Sequence, residues 1–532
     1  MLSSRSSDTE ITVRPECPSA HLVQAGPPTW IDCAFPGGGL LGPPAWRELV
    51  GDYVEGAAMT TGKGAFGARP GGIRAAEGAA LLSRMERVPL TRFHLLIALI
   101  LGFGMFFDSF DTLAIAVAMT AILGTFGAGV EMAGFLIAAG YLGQIVGAIG
   151  FGFVSERFGR KAAFIASSVL FGLLSLVAAL AWSVESLLVV RLIQGIGLGA
   201  EVPVAVAMFN EFVRARARGK IVLVYESLFI WGSLVASLTG GLLLAMFPPQ
   251  YAWRYLFAIG AVPALTAIWA FFRLPESPRH LVHRGDLEAA RAIIGRMEAS
   301  RRIGTRMWTD EDAAVPVAAV VGPPTRFGEL FARSYLRRTA MLWCTWFTTF
   351  FVLLGLATFL PTLLVRAGVT PSDASLLSAT VTVGDMVVVY LAAATLDRLG
   401  RRFWFIAGYV LALIGAASGV IAIGLAGMSG WVVLFVAGAI LLIGVNINAP
   451  LILMYTAELY PTRMRAWATM VGSTLRGLAA VIAPIALGQL LARAGGIGWM
   501  FALFAAVLAV GLAVFARYGI ETKQRTLEEL AR

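Results

Sequence analysis

The sequence predicts an all-α membrane protein of about twelve transmembrane helices in two pseudo-symmetric six-helix bundles. Three observations carry that expectation. Of 532 residues, 58% are hydrophobic and only 14% charged, outside the balance of a soluble globular chain. Apolar runs of about 20 residues, long enough to cross a hydrocarbon core, recur from Phe93 onward. A short charged motif also stands once in each half between two such runs: Glu156-Arg157-Phe158-Gly159-Arg160-Lys161, then Asp397-Arg398-Leu399-Gly400-Arg401-Arg402. Two further markers repeat in step. Glu211 is followed seven residues on by Arg218-Gly219, and Glu458 likewise by Arg465-Ala466. Glu276-Ser277 closes the first half as Glu521-Thr522 closes the second. Markers repeated in the same order mean an internal duplication.

Residues 1–91 read as a disordered N-terminal extension on the cytoplasmic side. They are rich in Gly, Pro and small polar residues, lack sustained periodicity, and open without the apolar core of a secretory signal. Met59 and Met85 are alternative starts within this stretch. The first bundle is expected over 92–272, with spans Phe93–Ala121, Met132–Phe153, Ala162–Trp182, Leu187–Phe209, Ile221–Phe247 and Trp253–Phe272. A central loop over 273–338 follows, where Asp286 to Ile294 carries apolar residues at helical spacing. The second bundle is expected over 339–519, with spans Thr339–Val365, Ser372–Leu396, Phe403–Leu425, Trp431–Tyr455, Trp467–Ala492 and Trp499–Tyr518, before a tail over 520–532. Basic residues cluster in the loops after the even-numbered spans, including twelve arginines from Arg273 to Arg338. The positive-inside rule then puts both termini in the cytoplasm, with the chain in the plasma (inner) membrane.

The net charge of +10 is explained by those membrane-flanking loops, so no nucleic-acid partner is expected. Cys17, Cys33 and Cys344 are scattered, with no disulfide framework and no metal-ligand spacing. None of His21, His94, His280 and His283 lies deep in an apolar run, so a proton crossing the core must ride on a carboxylate. There is no phosphate-binding loop, zinc pattern or triad, which argues against an enzyme and against a cofactor.

The candidate residues are polar groups inside the spans. Asp108 and Asp111 lie three apart in the first span, on one helical face. A lone charge near the bilayer centre costs on the order of 2.5–3.5 kcal/mol, so a chain keeps one for a use. Paired carboxylates oppose joint ionisation, a property suited to loading and releasing a proton. In the fourth span, Arg191, Gln194, Leu198 and Glu201 share a face, while Gly195, Gly197 and Gly199 keep another surface small. Arg191 alternatively snorkels to the outer interface, and Glu201 alternatively pairs with a basic residue of the loops. Asp385 lies twelve residues before Asp397, about 18 Å along the eighth helix. Asn446 and Asn448 interrupt the tenth span and Arg476 the eleventh. Trp346, within an aromatic stripe of the seventh span, and Tyr225 and Trp231 in the fifth offer rings for stacking, with lipid-facing packing as the plainer reading. Arg157 and Arg160 are placed to meet Glu211 and Glu276, as Arg398 and Arg401 are to meet Glu458.

The paired loop motifs, with Arg191 to Gly199, Pro275-Glu276-Ser277-Pro278-Arg279, Glu458-Leu459-Tyr460-Pro461-Thr462-Arg463 and Glu521-Thr522-Lys523, resemble the major facilitator superfamily. Within it they resemble the branch of sugar porters and metabolite:proton symporters. The first loop departs by having Glu156 for the usual Asp, and the second has Ala393 where the first has Gly152. The resemblance implies the major facilitator fold and transport by alternating access. Asp108 and Asp111 resemble the Asp-x-x-Asp of aromatic-acid:proton symporters, although Ser109 replaces the usual Gly. It further implies a proton-linked role for Arg191, an arginine at Arg476, and loop ion networks (Glu156, Arg157, Arg160, Glu211, Glu276; Asp397, Arg398, Arg401, Glu458) that latch the two halves together on the inside.

The expectation is therefore a proton-coupled symporter, acting as a monomer in the lipid bilayer on a small-molecule substrate. Proton coupling falls to Asp108, Asp111, Arg191, Glu201 and Asp385. Substrate binding falls to Gln194, Arg476, Asn446, Asn448, Trp346, Tyr225 and Trp231. Two arginines within the spans favour a carboxylate or aromatic acid. A sugar or polyol transporter is the alternative, and a non-transporting membrane sensor is the alternative of another class.

Overall fold

A computed structural model of the protein describes residues 70–89, 91–212, 218–301, 327–428, 430–460 and 464–523. Twelve helices among them are long and apolar enough to cross a membrane. In order the spans are Arg92–Phe126, Val130–Phe158, Arg160–Ala179, Val184–Phe212, Ser227–Met246, Pro249–Arg273, Arg333–Arg366, Pro371–Leu396, Arg401–Leu425, Trp431–Leu459, Trp467–Leu491 and Gly496–Tyr518. Half of them run about a turn or more past the apolar segment, because a helix does not stop where its hydrophobic residues do. The sixth is interrupted at Gly260-Ala261 into Pro249–Ile259 and Val262–Arg273, where Pro263 opens the second piece without needing an N–H partner. The ninth widens over Val420–Leu425 into a π-turn.

Packing repeats between the halves. Span one packs on five and four, two on four, and three on four and six; seven packs on eleven and ten, eight on ten, and nine on ten and twelve. The halves meet through spans two and eleven, five and eight, and one and seven. A Cβ on Gly134 would lie 2.3 Å from the Pro484 carbonyl, and Ser375 Oγ donates to the Ser237 carbonyl at 2.6 Å. Both contacts sit at the end opposite the basic loops. Toward the basic end, spans two, eight and eleven expose Phe153, Leu391 and Met470, so the halves are joined at one end and parted at the other.

Within the first half the tightest seam is between spans two and four. A Cβ on Gly143 would sit 2.0 Å from the Leu192 carbonyl, and one on Gly199 would sit 1.9 Å from the Gln144 carbonyl. Helix backbones approach this closely only where a side chain is absent.

The described part of the N-terminal extension departs from the disorder expected over residues 1–91. Pro70–Glu86 is a helix, while residues 1–69 lie outside the described residues. Its Ala-rich run is a strong helix former, and Gly and Pro further upstream masked that signal in the composition. Leu81 and Met85, with Val88 just beyond, join Ile293, Ile294 and Met297 of the loop helix Leu287–Ala299 and Phe212 of the fourth span. Three ion pairs fasten the seam: Glu77 to Arg291, Arg84 to Glu298, and Arg279 to Glu86 at 2.5 Å.

Gly199→Val is expected to lower the thermal midpoint of the detergent-solubilised protein, consistent with an overpacking cost of about 1–3 kcal/mol. Gly150→Val, where nothing lies within 4 Å of the added Cβ, should leave the midpoint unchanged.

Candidate functional site

The centre of the first half is a buried ion pair. Arg191 Nη1 donates to Asp111 Oδ2 at 2.7 Å and to Oδ1 at 2.9 Å, and both side chains are buried. The same nitrogen donates to Gln194 Oε1 at 3.0 Å. Gln194 Nε2 in turn donates to Asp111 Oδ1 at 3.0 Å and to Ser175 Oγ at 2.7 Å. Spans one, three and four thus converge on one polar knot. Gly140 in the second span leaves room for the guanidinium, since a Cβ there would come within 3.2 Å of Arg191 Nη2. The Phe257 ring lies 5.7 Å from Arg191 Cζ. The shared face expected for Arg191 and Gln194 is present, and the arginine does not snorkel.

The other two acids of this half lie apart from that pair. Asp108 is buried, within electrostatic reach of Tyr141 and of Glu201. Glu201 is fully buried, accepts from Ser168 Oγ at 3.0 Å through Oε1, and packs against Gly104 of the first span. Its Oε2 has no hydrogen-bond partner among the described residues. The alternative in which Glu201 pairs with a basic loop residue is therefore not the arrangement seen. Sequence reading passed over Ser168, Ser175 and Tyr141. Ser168 and Ser175 lie seven apart on one face of the third span, the spacing that was available to find them.

In the second half, the Arg476 guanidinium lies over the Phe350 ring at 5.5 Å. That ring stacks on Trp346 at 5.4 Å and 20°. Trp346 is fixed by its Nε1 donating to Thr456 Oγ1 at 3.1 Å and by Gly472, which has no side chain to meet the indole. Arg476 is also within electrostatic reach of Tyr141, so the polar centre straddles the halves. Asp385 faces the Asn446 side chain. Asn448 does not join them: two residues on, it is fully buried against Gly408 of the ninth span. Trp231 is 45% exposed, and the Tyr225 side chain lies outside the described residues.

The loop motifs form two matching knots, each inside its own half. Arg160 Nε donates to Glu211 Oε1 at 3.1 Å, and its backbone N–H donates to Glu276 Oε1 at 3.0 Å. Arg401 Nη2 donates to Glu458 Oε1 at 3.0 Å, and its N–H donates to Glu521 Oε1 at 3.0 Å. Gly159 and Gly400 turn the chain at φ 101° and 91°, and each faces the carboxylate of its glutamate where a Cβ would stand. In this arrangement the halves are parted at this end, and the ion pairs of Arg160 and Arg401 seen among the described residues each close within one half. Glu156, Arg157 and Arg398 stay exposed, and the Asp397 side chain lies outside the described residues.

A family model described as sugar (and other) transporter matches residues 97–532. The niacin transporter NiaP of Acinetobacter baylyi is 31% identical over 452 residues, covering 85% of this chain and 99% of that protein. The 4-hydroxybenzoate transporter PcaK of Pseudomonas aeruginosa is 30% identical over 444 residues, covering 80% of this chain and 92% of that one. Among solved structures, the xylose transporter XylE from E. coli in a partially occluded inward-open conformation aligns with a TM-score of 0.66. At 19% identity, with 82% of this chain and 100% of that chain covered, this likeness speaks to fold alone.

Arg191→Gln should destabilise the purified protein by about 3–5 kcal/mol, because it strands a buried carboxylate. Asp111→Asn added to it should recover part of that loss, with a coupling of at least about 1 kcal/mol in a thermal double-mutant cycle. A second expectation concerns Glu521, which lies beyond the last span. Burial pushes its carboxyl up, but backbone N–H groups of Lys523, Arg401, Arg402 and Thr522 outweigh that and hold it below the usual range. Its stabilising contribution is then full above the ordinary carboxylate range and fades as pH falls through the lowered value. Glu521→Gln should be less stable than the native protein at neutral pH, with the difference shrinking as pH falls below the ordinary carboxylate range.

Proposed function

The chain belongs to the sugar (and other) transporter family within the major facilitator superfamily, and from that premise we propose that it imports a small aromatic monocarboxylate together with protons. It is a multi-pass secondary transporter and not an enzyme. The observation that carries the substrate reading is the guanidinium of Arg476 above the Phe350–Trp346 stack. Trp346 and Phe350 are themselves buried, so what this arrangement leaves partly exposed is the Arg476 guanidinium, a charged fork for a carboxylate held in place by the ring beneath it. The cargoes named for two relatives, niacin and 4-hydroxybenzoate, are both aromatic acids. A neutral sugar leaves the arginine without an anion.

Asp111 is the proposed coupling acid. In this arrangement its charge is matched by Arg191. A proton taken onto an Asp111 oxygen removes that match and leaves the guanidinium favouring an anion nearby. Buried Asp108 and Glu201 and half-buried Asp385 are the further acids available to a proton path. Gln194 holds the pair in register, and Asn446 holds Asp385. The basic loops are read as cytoplasmic in the inner membrane, so the opening between the halves faces inward and the monomer is caught in its inward-facing state. Loading from the other side requires the halves to rock about the site.

Proteoliposomes with an imposed pH gradient test this. Uptake of nicotinate or 4-hydroxybenzoate should exceed that of xylose and collapse with the gradient. Asp111→Asn should lose accumulation while keeping substrate exchange. Arg476→Ala should raise KM on the order of tenfold or more. Uptake indifferent to the gradient removes symport. Stabilisation by neutral sugars alone, retained in Arg476→Ala, removes the carboxylate. Absence of flux for every class leaves the sensor.

A further inference from the structure

We infer that the second half carries a site for the phosphodiester headgroup of an anionic phospholipid, in a cavity of about 600 Å³ between the start of the seventh span and the end of the twelfth. Its walls bring together Arg333, Arg337 and Arg338 from one helix with Arg517 and Tyr518 from the other, and no acidic residue lines it. Arg333 and Arg337 are four apart, on one helical face, where like charges repel unless something negative lies between them. Arg517 lies 5.3 Å over the Tyr518 ring and Arg338 lies 5.8 Å over Tyr335. Among the described residues, Arg333, Arg337 and Arg517 are exposed and make no ion pair.

The duplication supplies the contrast. At the basic end of the first half, Arg84, Arg279 and Arg291 are each matched by a glutamate, across the helix 70–86 and the loop helices. No such pairing is seen for Arg333, Arg337 and Arg517 among the described residues, which leaves three exposed guanidinium groups facing an anion's position. The cavity lies at the ends of two membrane spans, at the level of lipid phosphates, and the guanidinium fork matches phosphate oxygens. Free phosphate shares that chemistry. The exposed Leu336 in the cavity wall, continuous with the apolar seventh span, favours a phosphate that brings acyl chains.

The test uses the full chain purified in detergent, titrated separately with phosphatidylglycerol, phosphatidylcholine and inorganic phosphate. Thermal midpoint and lipid retained in native mass spectrometry are the readouts. Phosphatidylglycerol should raise the midpoint and stay bound, and the other two should not. R333Q/R337Q/R517Q should weaken its binding by at least about tenfold, since each arginine near an anionic surface contributes separately. R333K/R337K/R517K, which keeps the charge, guards against misfolding and should retain most binding. Removing Arg273 and Arg284 of the first half should change nothing. Equal stabilisation by inorganic phosphate would overturn the lipid assignment. Undiminished lipid retention by the glutamine triple would leave these arginines with orientation of the chain as their sole role.

Discussion

A guanidinium and a carboxylate held face to face inside an apolar layer set the terms for the first half of this protein. Either charge alone near the bilayer centre costs on the order of 2.5–3.5 kcal/mol, so Arg191 and Asp111 must arrive together and stay together. Much of the local structure follows from that requirement. Gly140 is a glycine because the guanidinium occupies its side-chain space. Gln194 closes the geometry by accepting from Arg191 and donating to Asp111, and Ser175 takes its remaining N–H. Helices two and four are pressed together along Gly143, Gly195 and Gly199, which holds the fourth span close enough for Arg191 to reach the first. A pair of this kind adds little net stability, because the desolvation of both ions offsets their attraction. In the proposed cycle its value lies in having two states: matched when Asp111 is ionised, and unmatched when it is not.

The loop knots obey a related logic outside the apolar layer. Each takes an arginine side chain onto one glutamate and two successive backbone N–H groups onto another, at a glycine whose positive φ allows the turn. Since the partners seen among the described residues belong to the same half, these knots brace each bundle at its basic end. Exposed Glu156, Arg157 and Arg398 are the charges left over for contact between bundles when that end closes. Rigid halves joined by a few exposed charges are what a rocking motion needs, because the strain then falls on the interface and not on the bundles.

Much of this was legible in the sequence because the bilayer makes unusually strict demands. Span number follows from length and apolarity, and twelve helices of that kind are present. Duplication follows from the repeated motifs, and a shared face for Arg191 and Gln194 from their spacing. Partner choice was not legible. Asp108 and Asp111 share a face by spacing, yet the ion pair seen with Arg191 among the described residues is that of Asp111, because reach depends on where the fourth span crosses the first. Asn446 and Asn448 look equivalent in sequence, but two residues of helix turn one toward Asp385 and the other against Gly408. The helix at 70–86 was hidden by the composition of its surroundings, since its stability depends on docking as much as on propensity.

The two halves have diverged most where chemistry would be divided between them. Glu201 and Asn448 each stand ten residues before the glutamate of their own loop, Glu211 and Glu458, so they occupy equivalent places in the repeat. Both are fully buried. The first half has an acid there and the second a neutral amide. A related division recurs at the centre: the first half holds the Asp111–Arg191 pair, and the second holds Arg476 over Phe350, with Asp385 as its own acid. In the proposed cycle the coupling pair therefore sits on one body and the arginine for the anion on the other. Because each body is braced at its basic end, relative motion changes chiefly the distance between those two sets of groups. A substrate carboxylate bound at Arg476 and a proton bound at Asp111 can then influence one another across the interface, and neither bundle has to deform.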